Sequence, residues 1–196
     1  MVAEFVSRGA RVAALDINLE SAKESASISG NSELVFPFKV DVCSPVSVQE
    51  AIDAVISQWD RIDLLCNNAG ILDGHATAHE VAIEEWERVI AVNLTGPFLM
   101  ARAVIPQMLK QGKGAIINTS STAGFSAAGG GTAYTASKHG VIGLTRQLSF
   151  EYGARGIRVN TLCPGATATP LAMSGPVSEH SPDMEAALKS FPAQRW

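Results

Sequence analysis

The sequence predicts an α/β protein built on a doubly wound parallel sheet, with helices on both faces giving three layers. Two observations carry this: short β-branched runs alternate with longer stretches of helical period, and each gap between runs is long enough for a crossover helix. Parallel strands require such crossovers, and these are right-handed. With 196 residues, 46% hydrophobic and 17% charged, the chain has material for one core, so residues 1–196 read as a single domain.

Taken in order, the chain opens on MVAEFVSRGARV, the back half of an amphipathic helix running into a strand with no helix-start signal before it. Strands are expected at residues 11–16, 34–38, 62–66, 114–119 and 157–162, mostly fully buried, each bounded by turn or helix-start residues. Helices are expected at residues 19–27, 45–59, 83–109 and 132–152. After Pro164 the chain is rich in Pro, Ser and Gly, with one weak helix near residues 183–189 and no closing strand. The natural protein is expected to be longer at both ends.

Charge and composition exclude several function classes. The formal net charge of −4, with Lys and Arg scattered, offers no basic stripe for a phosphate backbone, so nucleic acid is not an expected partner. Glu4, Arg8 and Arg11 interrupt the first apolar residues, which removes a signal-peptide core, and no later apolar run reads as long enough to span a bilayer. A soluble cytoplasmic protein is expected. Cys43, Cys66 and Cys163 are far apart and form no metal or redox motif. His75 and His79 have metal-ligand spacing, but Asp73-Gly74 reads as a turn and no further ligand is evident, so no metal site is expected.

The chemistry concentrates in the second half. Tyr134 and Lys138 lie four positions apart in TAYTASKHG, on one face of the expected helix. A close ammonium favours phenolate, and moving a tyrosine pKa from about 10 to neutrality takes roughly 4 kcal/mol of differential stabilisation. Alone, the pair reads more simply as an exposed helix face with a snorkelling lysine. Ser120 and Ser121 follow a strand in INTSSTAGF, at the carboxyl edge where open α/β sheets bind ligands. Asn93 sits in AVNLTGPF, inside a helical stretch where Asn has no propensity reason to be. Pro97 has no N–H, so the carbonyl of Asn93 should leave the helix ladder. A hydrolase reading of Ser121 with His139 is weak, because the G-x-S-x-G elbow is missing.

Ser121, a tyrosine thirteen positions later and a lysine four beyond that, together with LLCNNAG and VNTLCPGATATP, resemble the short-chain dehydrogenase/reductase family. The resemblance covers nearly the whole chain and implies a Rossmann-like fold and hydride transfer between a nicotinamide cofactor and a small alcohol or carbonyl substrate. It implies that Ser121 holds the substrate oxygen, Tyr134 transfers the proton, Lys138 lowers the tyrosine pKa and grips the nicotinamide ribose, and Asn93 holds a water linking Lys138 to solvent. Asn68 and Gly70 are placed at the adenosine ribose side, and Asp41 with Val42 on the adenine. Pro164, Gly165, Thr167 and Thr169 are placed at the nicotinamide end. Asp16, closing RVAALD, can accept both hydroxyls of an adenosine ribose and repel a 2′-phosphate, which favours NAD over NADP; the alternative use is an N-cap for the helix at 19–27.

One departure is plain. The glycine-rich turn that binds a pyrophosphate at a helix N-terminus is absent, and Gly112 with Gly114 precedes a strand and lacks the third glycine. Without the strand that carries that turn, the sheet should fall into two halves, with weak cofactor binding. A non-catalytic fragment that keeps only the association surface, and an NADP-linked 3-oxoacyl-carrier or sugar reductase, stand as alternatives. In the family, the long helices at 83–109 and 132–152 pair between subunits, which implies a homodimer or homotetramer.

Overall fold

A computed structural model describes residues 1–165 apart from 75 and 128. The elements run α1 (Val2–Ser7), β1 (Val12–Asp16), α2 (Leu19–Ser27), β2 (Val35–Lys39), α3 (Pro45–Trp59), β3 (Leu64–Asn67), α4 (Ile83–Ile90), a π-turn (Ala91–Thr95), α5 (Gly96–Gln111), β4 (Gly114–Thr119), α6 (Thr132–Tyr152) and β5 (Ile157–Leu162). Thr167, Thr169 and the weak helix expected at 183–189 lie outside the described residues.

All strand pairs are parallel, and they form two sheets, β1 with β2 and β3-β4-β5 in that order. The expected division into two halves is therefore present: β1 and β3 share no ladder. The three layers follow from the pleat of β1. Ala14 packs with Ala22 and Ala26 of α2 and Val6 of α1, whereas Ala13 and Leu15 turn to the opposite face. On that face α3, α5 and α6 enclose the main core, in which Val48, Ala51 and Ile52 meet Val104, Met108, Ile116 and Ile157.

The strands are less buried than expected. β5 alternates, with Ile157 and Val159 inside and Arg158 and Asn160 exposed, as an edge strand with one face on the core does. The membrane reading also needs amending: Ile83–Gln111 holds an 18-residue window apolar enough, at mean hydropathy 1.5, to pass as a span, and half of that window is buried inside the fold. Its apolar residues have protein partners, since Leu99, Met100, Val104, Ile105 and Met108 are core.

That stretch is also not one regular helix. Gly96 N–H bonds back to Ala91 O, five residues earlier, and the π-turn opens where Pro97 has no N–H to give Asn93. The proline thus breaks the ladder at Asn93, at the position the sequence marks.

Candidate active site

The site forms where the carboxyl ends of β3 and β4 meet the first turns of α6. Asn67 is buried and donates from Nδ2 to Asn118 Oδ1 at 2.8 Å, and Asn118 donates onward to Thr145 Oγ1 at 2.9 Å. This chain ties β3 to β4 and β4 to α6, with Asn118 at 0% exposure. Asn118→Ala removes the acceptor for one buried amide and the donor for one buried hydroxyl. Chemical denaturation should show a loss of about 3 kcal/mol of unfolding free energy.

Asn93 is buried, and its side chain is fully engaged. Oδ1 accepts from Ile71 N at 2.8 Å, while Nδ2 donates to Ile71 O at 2.9 Å and to Ser137 Oγ at 3.1 Å. It therefore clamps the segment after β3 onto α6. Gly70 lies between Asn93 and Lys138: a Cβ there would stand 3.4 Å from Asn93 Oδ1 and 3.5 Å from Lys138 Nζ.

Lys138 is 4% exposed, donates to Thr119 O at 3.0 Å, and holds Nζ 5.4 Å from the centre of the Tyr134 ring. Burial pushes its pKa down to about 8, against a smaller upward pull from Cys163 at the end of β5. Tyr134 is buried against Val89, Ala123 and Ala133. Burial raises its pKa above the ordinary value, a hydrogen bond with Ser121 lowers it, and the charge of Asp73 raises it. The ammonium sits over the ring and bonds to Thr119 O, and burial outweighs it, so the phenol is not acidified as the helical spacing suggested. Ser121 caps its own turn through Ala123 N at 3.2 Å, and Ser120 anchors α6 through Lys138 O at 2.8 Å.

The residues expected at a nicotinamide end adjoin this group. Thr122 N donates to Pro164 O at 3.0 Å, and Gly165 lies against the Thr122 methyl. Asn68 accepts from Thr119 Oγ1 at 3.4 Å, at the same strand ends. The residues expected at an adenine end sit at the carboxyl ends of the other sheet. Asp41 accepts from Cys43 N at 2.9 Å, and Val42 packs against the α carbon of Gly96. Asp16 is exposed and accepts from Asn18 N at 2.9 Å, and the N-cap of α2 is Asn18, not Asp16. The capping use of Asp16 is thereby removed.

The set partly fits a dinucleotide. A buried ammonium with one protein acceptor among the described residues has donors left for ribose hydroxyls, and Gly70 leaves room beside it. None of the described strand-to-helix turns carries a three-glycine phosphate pattern. Among the described residues no His, Cys, Asp and Glu group could hold a metal; His75 lies outside them, and His79 is exposed. His139 is exposed and bonds to Thr135 O, away from Ser121.

The family model for short chain dehydrogenase matches residues 1–179. The chain belongs to this family of oxidoreductases acting on CH–OH groups. It is 40% identical over 193 residues to a D-threitol dehydrogenase of Mycolicibacterium smegmatis, covering 98% of this chain and 73% of that one. It is 42% identical over 172 residues to a 2-(R)-hydroxypropyl-CoM dehydrogenase of Xanthobacter autotrophicus, covering 85% of this chain and 68% of that one. Among solved structures, an actinorhodin polyketide ketoreductase with NADPH superposes with a TM-score of 0.83 at 33% identity, covering 88% of this chain and 67% of the other. The short chain dehydrogenase thus spans between two thirds and three quarters of the length of these relatives.

Sequence reasoning missed Asp73, Ser137 and Thr145. Asp73 sat in an Asp-Gly pair that reads as a turn, and nothing local marks its carboxylate as buried.

Proposed function

We propose that this protein oxidises a secondary alcohol, or reduces the matching ketone, with NAD(H), using Ser121, Tyr134, Lys138 and Asn93. Support comes from one juxtaposition: the hydrogen-bonded hydroxyls of Ser121 and Tyr134 stand next to the buried Lys138 ammonium and the open α carbon of Gly70. In oxidation, Ser121 holds the substrate oxygen, and Tyr134, its own proton first given up along the Lys138 path to water, takes the hydroxyl proton as the carbonyl forms. The bound nicotinamide supplies the hydride acceptor, or the donor in the reverse direction. Lys138 holds ribose hydroxyls and passes a proton toward water at the Asn93 carbonyl, which Pro97 has left without its helical donor. Pro164 and Gly165 close the nicotinamide end, and Asn68, Asp41 and Val42 line the adenosine side.

NAD is preferred because Asp16 presents a carboxylate where a 2′-phosphate would be repelled. The solved relative with NADPH favours the second reading, an NADP-linked ketoreductase. The two are separated by assaying the native gene product for nicotinamide reduction with D-threitol and small secondary alcohols. NAD⁺ should exceed NADP⁺ in kcat/KM, and Asp16→Ala should cut that ratio by about tenfold or more. A native preference for NADP⁺ would reverse the assignment. The 83% exposure of Phe150 on α6 and the 46% exposure of Phe98 on α5 support a homodimer or homotetramer through these helices.

A further inference from the structure

We propose that Asp73 is a positioning residue: a buried carboxylate that docks the first turn of α6 on the segment after β3 and holds a negative charge against the proton-transferring phenol. Asp73 is 2% exposed. Its Oδ1 accepts from Gly131 N at 2.7 Å and its Oδ2 from Tyr134 N at 2.8 Å. α6 has no capping side chain of its own at Gly131, so its cap is brought in from 58 positions upstream. The amides and the positive end of the helix are what make a buried carboxylate tolerable there.

The fit is close. A Cβ on Gly131 would stand 2.6 Å from Asp73 Oδ1 and 2.7 Å from Oδ2, so a side chain there would evict the carboxylate. The segment carrying Asp73 is fastened on either side, at Ile71 by Asn93 and at Gly74 N by Glu85 Oε1 at 2.7 Å. Asp73 therefore joins the Gly70 wall to the very residue that moves the proton.

Both oxygens accept from backbone amides, and Asn or Ser has only one oxygen to offer, so the pair of bonds to α6 calls for a carboxylate and brings its charge to the phenol. The groups facing Tyr134 are Lys138 from its own helix, Asp73 from the segment after β3, Ser121 from the turn after β4, and apolar Trp86 and Val89 from α4; Cys163 faces Lys138. The charge of Asp73 adds to burial in favouring the protonated phenol, against the bond from Ser121. A contact that held only the backbone, with no charge reaching the phenol, would leave its ionisation untouched.

The chain has only two tyrosines, Tyr134 and Tyr152, so tyrosinate absorbance reads the phenol directly. Spectra of the protein are recorded just after a jump to alkaline pH, with Tyr134→Phe supplying the Tyr152 contribution. In Asp73→Asn, Tyr134 should ionise about half a unit to one unit lower than in wild type. An unchanged midpoint would overturn the proposal. Should circular dichroism show Asp73→Asn unfolded, Gly131→Ala decides, because it displaces the carboxylate with the charge still in the chain: a lowered midpoint supports the proposal and an unmoved one sinks it. The inference rests on Tyr134 as the proton-transfer group, yet the titration needs no substrate or turnover, so its failure is distinguishable from failure of the oxidoreductase reading.

Discussion

Tyr134→Phe is expected to lower kcat by about a thousandfold while leaving nicotinamide binding nearly unchanged. General acid–base catalysis by one placed side chain contributes about 10²–10⁴ in rate, and a thousandfold corresponds to about 4 kcal/mol of barrier. The substitution removes one oxygen only. The ring keeps its contacts with Val89, Ala123 and Ala133, and its backbone N–H still reaches Asp73. The loss is thereby confined to the hydroxyl and its bond with Ser121. Fluorescence titration with NADH reports binding and steady-state rates report turnover; turnover at the wild-type rate would remove Tyr134 from the mechanism.

Lys138→Met is expected to abolish turnover, by about a hundredfold or more, and to raise stability at neutral pH by about 1–2 kcal/mol. The sign follows from burial. Lys138 titrates near 8 in the folded protein against 10.5 in the unfolded chain, so between these values the unfolded chain holds more protons. Folding is then penalised fully below about pH 8, and the penalty fades as pH rises toward 10.5. The lost bond to Thr119 O offsets part of the gain in the variant. Thermal melts across this range should show wild type gaining on the variant as pH rises. A variant less stable than wild type at pH 7 would mean that the hydrogen bond outweighs the buried charge.

The elements with strong punctuation were legible from the sequence alone. α3 begins where Ser44 accepts from Ser47 N ahead of Pro45, and α5 ends at Gly112 with φ 68°, so helix-start and helix-stop residues marked both. Misplaced ends have local causes that involve distant partners. Residue 62 was expected in β3, but Gln111 takes both its amide and its carbonyl at 2.8 Å, which removes it from the ladder. Leu34 was expected in β2 and instead closes a 3₁₀ turn capped by Asn31. The helix expected from 83 to 109 hides a register change that proline chemistry located but could not name as a π-turn.

The site was legible in its motif residues and illegible in its supports. Spacing put Tyr134 and Lys138 on one face, yet the same spacing could not say that the ammonium would bond to Thr119 O and sit over the ring. Asp16 showed the converse: its two readings were even in the sequence, and the bond that separates them is made by Asn18. Asp73 was invisible because its meaning lies in Gly131 and Tyr134, far along the chain.

Those distant partners bear on when the site comes into being. Its fastenings join Ile71 to Asn93, Asn93 to Ser137 and Asp73 to Gly131, across 22, 44 and 58 positions. Closing such loops costs entropy before any contact repays it, so these bonds belong to the late, slow part of folding. A chain that has wound its helices but not yet brought them together carries every reactive group and no catalyst; competence arrives in a single step with the last docking event.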